Sequence, residues 1–238
     1  MLPALRSVAT YVSVALYVLL VGPPFLLIAL VFGKRALLYR VGHLGVRLGL
    51  RLSGITVVVE GTQHIQRHRA AVYAVNHASS VEPPIIFDLL HELFPRLRIL
   101  YKAELRKLPV LVRAFDLAEF IPLERGNPEQ SLPAIDRAAK ALRDGNSFLI
   151  FPEGTRTRTG ELLPFKKGGF ILAIKGQAPV VPIGIAGARN ALRKGSLLIY
   201  PVTVRVRIGE PVETAGMTLD DRDTLVAAVR EQIKELLA

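Results

Sequence analysis

The sequence predicts an α/β fold, a mixed sheet flanked by helices, behind an apolar N-terminal segment of two membrane-embedded helices. After residue 53, short runs rich in β-branched residues alternate with helical patterns, which is typical of α/β layer folds. Before that point, no charged residue lies between Arg6 and Lys34. The 238 residues are enough for one domain of ordinary size and an appendage.

The N-terminal apolar run, Tyr11 to Phe32, is long enough to cross a membrane, which takes about 20 residues. Gly22-Pro23-Pro24 interrupts it, and because consecutive prolines remove backbone donors, we expect two short helices that meet at a bend. Basic residues flank both ends, which favours a hairpin or half-embedded arrangement with both flanks in the cytoplasm. A cleaved signal peptide fits less well, because no Ala-x-Ala-like site precedes Lys34.

The next segment, Ala36 to Leu52, spaces three arginines among apolar residues at helical intervals. This pattern fits a basic amphipathic helix on an anionic surface, and it fits equally well a helix that packs on the core with a solvated edge. We therefore predict a membrane-associated region at residues 1–53 and an α/β domain at residues 54–238.

Strands and helices alternate along the predicted domain. The predicted strands are Ile55–Glu60, Ala71–Val75, Arg98–Lys102, Phe120–Leu123, Ser147–Phe151, Val180–Ile185 and Thr203–Ile208. The predicted helices are Pro84–Leu93, Leu105–Asp116, Pro128–Asp144, Gly168–Gly176 and a closing amphipathic helix within Thr218–Leu237.

The net charge of +11 requires an anionic partner, which could be nucleic acid, membrane lipid or a phosphorylated substrate. Nucleic acid fits worst, because the basic residues are spread along the chain and no RNA-recognition signature occurs. The chain has no cysteine, which excludes zinc-finger spacing, disulfides and a thiol nucleophile. We expect no metal site and no cofactor.

Two motifs, each just after a predicted strand, carry the chemistry. The first, Asn76 to Glu82, places an imidazole and a carboxylate five residues apart. A carboxylate that fixes the tautomer of a histidine makes that histidine an effective proton acceptor, so His77 is a candidate general base and Glu82 its partner. The second, Phe151-Pro152-Glu153-Gly154-Thr155-Arg156, places a guanidinium on a glycine turn, and the fork of Arg156 suits a phosphate.

Together these motifs resemble the glycerolipid acyltransferase family, and in particular its bacterial members that acylate 1-acyl-sn-glycerol 3-phosphate. The segments that carry the resemblance occur in the family's order: Asn76 to Glu82, Lys102-Ala103-Glu104-Leu105, Leu123-Glu124-Arg125, Phe151 to Arg156 and Val181-Pro182-Ile183. Phe-Pro-Glu-Gly-Thr-Arg is the specific element. Glu82 stands where the family usually has aspartate. A glutamate at this position resembles the related lipid A acyltransferases.

The resemblance implies transfer of a fatty acyl group from acyl-CoA or acyl carrier protein to the free hydroxyl of 1-acyl-sn-glycerol 3-phosphate, which gives phosphatidic acid. It also implies a location at the bacterial inner membrane, with the catalytic domain on the cytoplasmic face. The expected catalytic residues are His77 and Glu82. The expected phosphate-binding residues are Arg156, Arg125, Lys102, Gly154 and Thr155, with Asn76 and Glu153 in support.

The residues leave several alternatives open. The acceptor could be glycerol 3-phosphate or another lysophospholipid, and the protein could instead be a non-catalytic binder of anionic membranes. A serine hydrolase using Ser79 or Ser80 is disfavoured, because neither lies in a Gly-x-Ser-x-Gly elbow. Lys166 and Lys167 fit a solvated turn as well as they fit donor or head-group binding.

Overall fold

The computed structural model describes residues 2–107, 109–123 and 128–238. The strands are β1 (Thr56–Glu60), β2 (Val72–Val75), β3 (Leu97–Lys102), β4 (Ile121–Leu123), β5 (Ser147–Ile150), β6 (Val180–Ala186) and β7 (Thr203–Ile208). The helices are α1 (Leu2–Leu20), α2 (Gly22–Phe32), α3 (Arg35–Ser53), α4 (Glu82–Leu89), α5 (Pro109–Leu117), α6 (Pro128–Arg143), α7 (Gly168–Gly176), α8 (Ala188–Ala191) and α9 (Arg222–Leu237).

The strands form one sheet in the order β1-β7-β6-β2-β5-β3-β4. The β6–β7 pair is antiparallel and the other neighbouring pairs are parallel, so the sheet is mixed. The predicted fold class is confirmed, and no predicted strand end is displaced by more than one residue. Because β2 and β5 are parallel and in register at Ala74 and Ile150, the motifs that follow them emerge side by side at one edge of the sheet.

Two predicted helices begin at other residues than expected. α4 begins at Glu82 rather than Pro84, because Pro83 and Pro84 lack an N–H and are accommodated in the first turn of a helix. The helix predicted from Leu105 begins at Pro109, and a short 3-10 segment, Ala103–Lys107, precedes it. The first of these differences matters for the site, because it makes Glu82 a helical residue.

Apolar side chains cover both faces of the sheet. Ile85 and Ile86 of α4 are buried on one face. Leu142 of α6, Phe170 of α7 and Leu225 of α9 are buried on the other. Strands buried on both faces read as continuous apolar runs, which is why β2, β5 and β6 could be predicted from composition.

The N-terminal helices break where the prolines predict, since α1 ends at Leu20 and α2 begins at Gly22. Leu2–Phe32 is the one segment of the described residues that is long and apolar enough to cross a membrane. α3 packs against α1, and the fit is tight: a side chain on Gly45 would come within 2.6 Å of the Tyr17 ring. Leu50 of α3 also packs against the buried core cluster of the α/β domain, as the packed alternative for residues 36–52 requires.

The proposed division after residue 53 remains a prediction, and specific bonds connect the two parts. His43 Nε2 on α3 lies 2.6 Å from Asp88 Oδ1 on α4. The backbone N–H of Ile199 donates to Ser7 Oγ on α1 at 2.8 Å. The N-terminal helices are therefore fixed on the same side of the protein as α4.

Candidate active site

The site begins where β2 ends, and Asn76 sets its position. The buried Asn76 amide donates to the carbonyl of Ile185 in β6 at 3.1 Å and accepts from the N–H of Ile185 at 2.7 Å. The side chain thus makes the pair of bonds that a further strand residue would make. Because it continues the β2–β6 pairing, Asn76 fixes the point from which His77 leaves the sheet.

His77 and Glu82 form the predicted pair. Glu82 is fully buried, its Oε2 lies 2.7 Å from His77 Nδ1, and both carboxylate oxygens accept from the N–H of Ala78 at 3.0 Å. A carboxylate on Nδ1 fixes the proton there, which leaves Nε2 as the acceptor. No residue that the structure describes hydrogen-bonds to Nε2, and the imidazole is partly exposed. The longer glutamate side chain therefore reaches the imidazole at hydrogen-bond distance.

Glu153 connects the second motif to the first. The sequence allows two supporting roles for Glu153, a salt bridge that orients Arg156 or the binding of substrate hydroxyls. In the structure Glu153 is buried, its Oε1 accepts from the N–H of His77 at 2.6 Å, and its Oε2 accepts from the N–H of Leu163 at 2.9 Å. Both oxygens are used, so Glu153 ties the backbone of the base to the loop that follows the Gly-Thr-Arg turn.

Because Glu153 is buried, its carboxyl makes the stability of the folded protein depend on pH. Burial raises the pKa of the Glu153 carboxyl above its ordinary 4.5, although the two N–H donors oppose that shift. The folded protein then keeps a proton that the unfolded chain releases, so stability decreases as pH rises from 4.5 through the raised pKa.

We expect the wild type to lose thermal stability relative to Glu153→Gln as pH is raised from about 4 to about 8, because glutamine has no proton to lose. Unfolding midpoints measured across that range test this. The control is Glu161→Gln, on the exposed part of the same loop, which should show no such difference. Parallel pH profiles for wild type and Glu153→Gln would contradict the assignment.

The Gly-Thr-Arg turn lies against the His77 loop. Gly154 has a φ of +70°, a left-handed conformation that side chains rarely adopt, so the chain can reverse after Glu153. The N–H of Thr157 donates to the carbonyl of His77 at 2.8 Å, and the Arg156 guanidinium donates to Ser80 Oγ. The predicted base and the predicted anion-binding arginine therefore belong to one cluster of loops.

The structure connects the other predicted phosphate-binding residues less directly to His77 and Glu82. Lys102 ends β3 at the same edge of the sheet, and its ammonium pairs with Glu104 at 2.8 Å. Thr155 is exposed on the turn, 3.4 Å from Lys194 Nζ. Arg125 lies outside the described residues. The structure thus brings His77, Glu82 and Arg156 together, and the roles assigned to these residues stay predictions.

The two serines of the first motif have structural partners. Ser79 is buried, and its hydroxyl donates to the carbonyl of Leu192 at 2.7 Å and accepts from the N–H of Val81. Ser80 holds Arg156, as described above. Because neither hydroxyl hydrogen-bonds to His77 among the described residues, the geometry gives no support to a serine nucleophile.

Two residues near the site were not predicted from sequence. The Phe151 ring packs on the imidazole with centroids 4.4 Å apart. Lys194 Nζ donates to the carbonyl of Arg156 at 2.8 Å and so supports the turn. Phe151 could have been inferred from its place in the second motif, whereas Lys194 reaches the site from a distant loop with no local signal.

An apolar cavity of about 360 Å³ adjoins the cluster. It lies between α1 and α3, and Ser80, Val81 and Pro84 form its wall toward the site. Ser80 therefore contacts Arg156 on one side and this cavity on the other. A polar centre beside an apolar cavity is suited to an amphiphile.

The general class of the protein follows from comparison with known families. The family model described as Acyltransferase matches residues 56–186, which is more than half of the chain and includes both motifs. The chain belongs to this acyltransferase family.

Individual relatives narrow the class. A 1-acyl-sn-glycerol-3-phosphate acyltransferase of Limnanthes douglasii is 32% identical over 192 residues, covering 80% of this chain and 66% of the relative. One from Borreliella burgdorferi is 26% identical and covers 81% and 76%. The crystal structure of the 1-acyl-sn-glycerophosphate (LPA) acyltransferase PlsC from Thermotoga maritima matches with a TM-score of 0.80 at 26% identity, covering 99% of this chain and 97% of that one. The chain spans slightly less than two thirds of the Limnanthes protein.

Proposed function

We propose that this protein transfers a fatty acyl group from acyl-CoA or acyl carrier protein to the free hydroxyl of 1-acyl-sn-glycerol 3-phosphate. The observation that carries the proposal is the His77–Glu82 pair on the same loop cluster as Arg156. Such a site can remove a proton from a hydroxyl while it holds a phosphate. The three relatives described above are acyltransferases of 1-acyl-sn-glycerol 3-phosphate, which supports this acceptor over other lysophospholipids.

The reaction needs one proton acceptor and no covalent enzyme intermediate. The acceptor hydroxyl passes its proton to His77 Nε2 as its oxygen attacks the thioester carbonyl, and Glu82 stabilises the resulting imidazolium through Nδ1. The new C–O bond forms and the C–S bond breaks. The imidazolium then returns the proton to the departing thiolate, so His77 ends in its starting state.

The surroundings of the pair suit the two halves of the substrate. Arg156 supplies fixed donors for the phosphate, and Ser80 and Lys194 hold its side chain and its carbonyl. The cavity between α1 and α3 can receive an acyl chain. A lysolipid bound in this way would place its glycerol hydroxyl between the apolar cavity and the anion-binding turn.

The N-terminal helices support a membrane location. Leu19, Leu20, Leu27 and Phe32 are more than half exposed, which is unusual for large apolar side chains of a soluble protein. We place residues 2–32 in the bacterial inner membrane and the catalytic domain on its cytoplasmic face. Substrate and product, which stay in the bilayer, could then enter and leave the site without passing through water.

Replacing Arg156 by Ala tests the phosphate-binding half of the proposal. We expect kcat/KM for lysophosphatidic acid to fall about 10–100-fold, because a charge-assisted hydrogen bond to phosphate is lost. The measurement is acyl transfer by the full chain in lipid nanodiscs. Arg158→Ala removes the same charge from an exposed position two residues away and should stay within about twofold of wild type. Equal losses in both variants would refute a specific role for Arg156.

A further inference from the structure

The loop after the Gly-Thr-Arg turn folds back onto that turn. The N–H of Leu163 donates to Glu153 Oε2 at 2.9 Å, and the N–H of Lys166 donates to the carbonyl of Pro152 at 2.7 Å. These bonds fix the backbone of residues 163–166 against the second motif. The backbone of Lys166 is therefore fixed by hydrogen bonds to the second motif.

The side chain of Lys166 crosses directly over Gly154. A Cβ placed on Gly154 would lie 2.9 Å from Lys166 Cε, 3.0 Å from Cδ and 3.3 Å from Nζ. The exposed ammonium thus lies beside the backbone of the turn that carries Arg156. Gly154 and Lys166 also line a small cavity of about 100 Å³, together with Ile150 and Phe151.

The neighbouring lysine, Lys167, forms an ion pair within the protein. Lys167 Nζ pairs with Asp223 at 2.8 Å, and the side chains of Arg222 and Lys167 lower the pKa of Asp223 to about 2. In the part of the chain that the structure describes, Lys166 has no carboxylate within ion-pair distance. Of these two adjacent lysines, Lys167 is paired with a carboxylate of the protein, whereas Lys166, at the candidate site, is not.

We propose that Lys166 binds a phosphate oxygen of a substrate, beside Arg156 on the turn. This inference rests on the proposed function and adds a residue to it. An ammonium is a compact point charge that suits phosphate, and the missing Cβ of Gly154 leaves the room in which the Lys166 side chain lies against the turn. Both substrates of the proposed reaction carry phosphates, the lysolipid in its head group and the donor in its carrier group.

The test compares Lys166→Gln with its matched control Lys167→Gln in steady-state assays of the full chain in nanodiscs. We expect Lys166→Gln to raise the KM of one phosphate-bearing substrate about tenfold, with kcat changed less than about threefold. Lys167→Gln should remain within about twofold of wild type. Lys166→Arg keeps the charge and should restore most of the lost affinity.

Two donors distinguish the source of the phosphate. One is acyl-CoA and the other is the acyl thioester of N-acetylcysteamine, which carries no phosphate. A raised KM for lysophosphatidic acid with both donors would assign Lys166 to the acceptor, and a defect confined to acyl-CoA would assign it to the donor. Both outcomes support phosphate binding. Unchanged KM values for both substrates, or equal changes in Lys166→Gln and Lys167→Gln, would overturn it.

A binding measurement separates this inference from the proposed function. If wild-type protein transfers no acyl group, the proposed function fails, and titration calorimetry with lysophosphatidic acid and with CoA still tests Lys166. About tenfold weaker binding of either ligand to Lys166→Gln than to Lys167→Gln supports the inference. Equal affinities of the two variants for both ligands would overturn it.

Discussion

The variant His77→Ala is expected to lose about 10³-fold in kcat for acyl transfer, within the range that a positioned general base contributes. The His77 imidazole is the one group in the described part of the site that has a carboxylate on one nitrogen and a second nitrogen without a protein partner. Without it, the proposed reaction has no base for the acceptor hydroxyl. The KM for lysophosphatidic acid should change little, because the residues proposed to bind its phosphate remain.

The measurement for His77→Ala is initial rate at saturating donor and acceptor, with the unfolding midpoint as a check on the fold. A matched control is His64→Ala, which removes a partly exposed imidazole from the short 3-10 segment Thr62–His64 that follows β1. His64→Ala should retain the wild-type rate. If His77→Ala kept more than about a tenth of wild-type activity, general-base catalysis by His77 would be excluded.

The second large effect is expected for Glu82→Gln, which should lower kcat about 10²–10³-fold. Glutamine has almost the same shape, so the helix start and the packing of α4 can be kept. It cannot stabilise a developing imidazolium as a carboxylate does, and its amide nitrogen can face Nδ1 and favour the wrong tautomer. The buried N–H of Ala78 also loses one of its two acceptor oxygens.

The comparison that makes Glu82→Gln informative is Glu82→Asp. Aspartate keeps the charge and shortens the side chain by one methylene, so this variant separates the effect of side-chain length from the effect of charge. We expect Glu82→Asp to retain more activity than Glu82→Gln, measured by kcat under the same conditions. If the neutral variant were the more active of the two, the charge of Glu82 would not be what supports His77.

Much of the fold could be predicted from the sequence because its strands are short, apolar and bounded by polar turns. β2 and β5 are buried on both faces, so their composition alone separated them from the loops. The helix starts were less accurate where prolines lay inside the pattern. The predicted helix starts at Pro84 and leaves Glu82 in the preceding loop, whereas Glu82 is the first residue of α4.

The site was predictable where a single motif contains both partners, as with His77 and Glu82. It was not predictable where one partner is a backbone group or a distant loop. Glu153 binds the N–H of Leu163, and no side-chain pattern marks a backbone donor. Lys194 reaches Arg156 from 38 residues away, a contact that only the folded chain creates.

α4 is short, and its two ends have different neighbours. Its first residue, Glu82, supports the imidazole, while Asp88 near its other end is bound to His43 of α3. An element of eight residues is about 12 Å long and too stiff to bend easily. Because one short helix carries both contacts, the position of the Glu82 carboxylate is set by α3 as well as by the sheet.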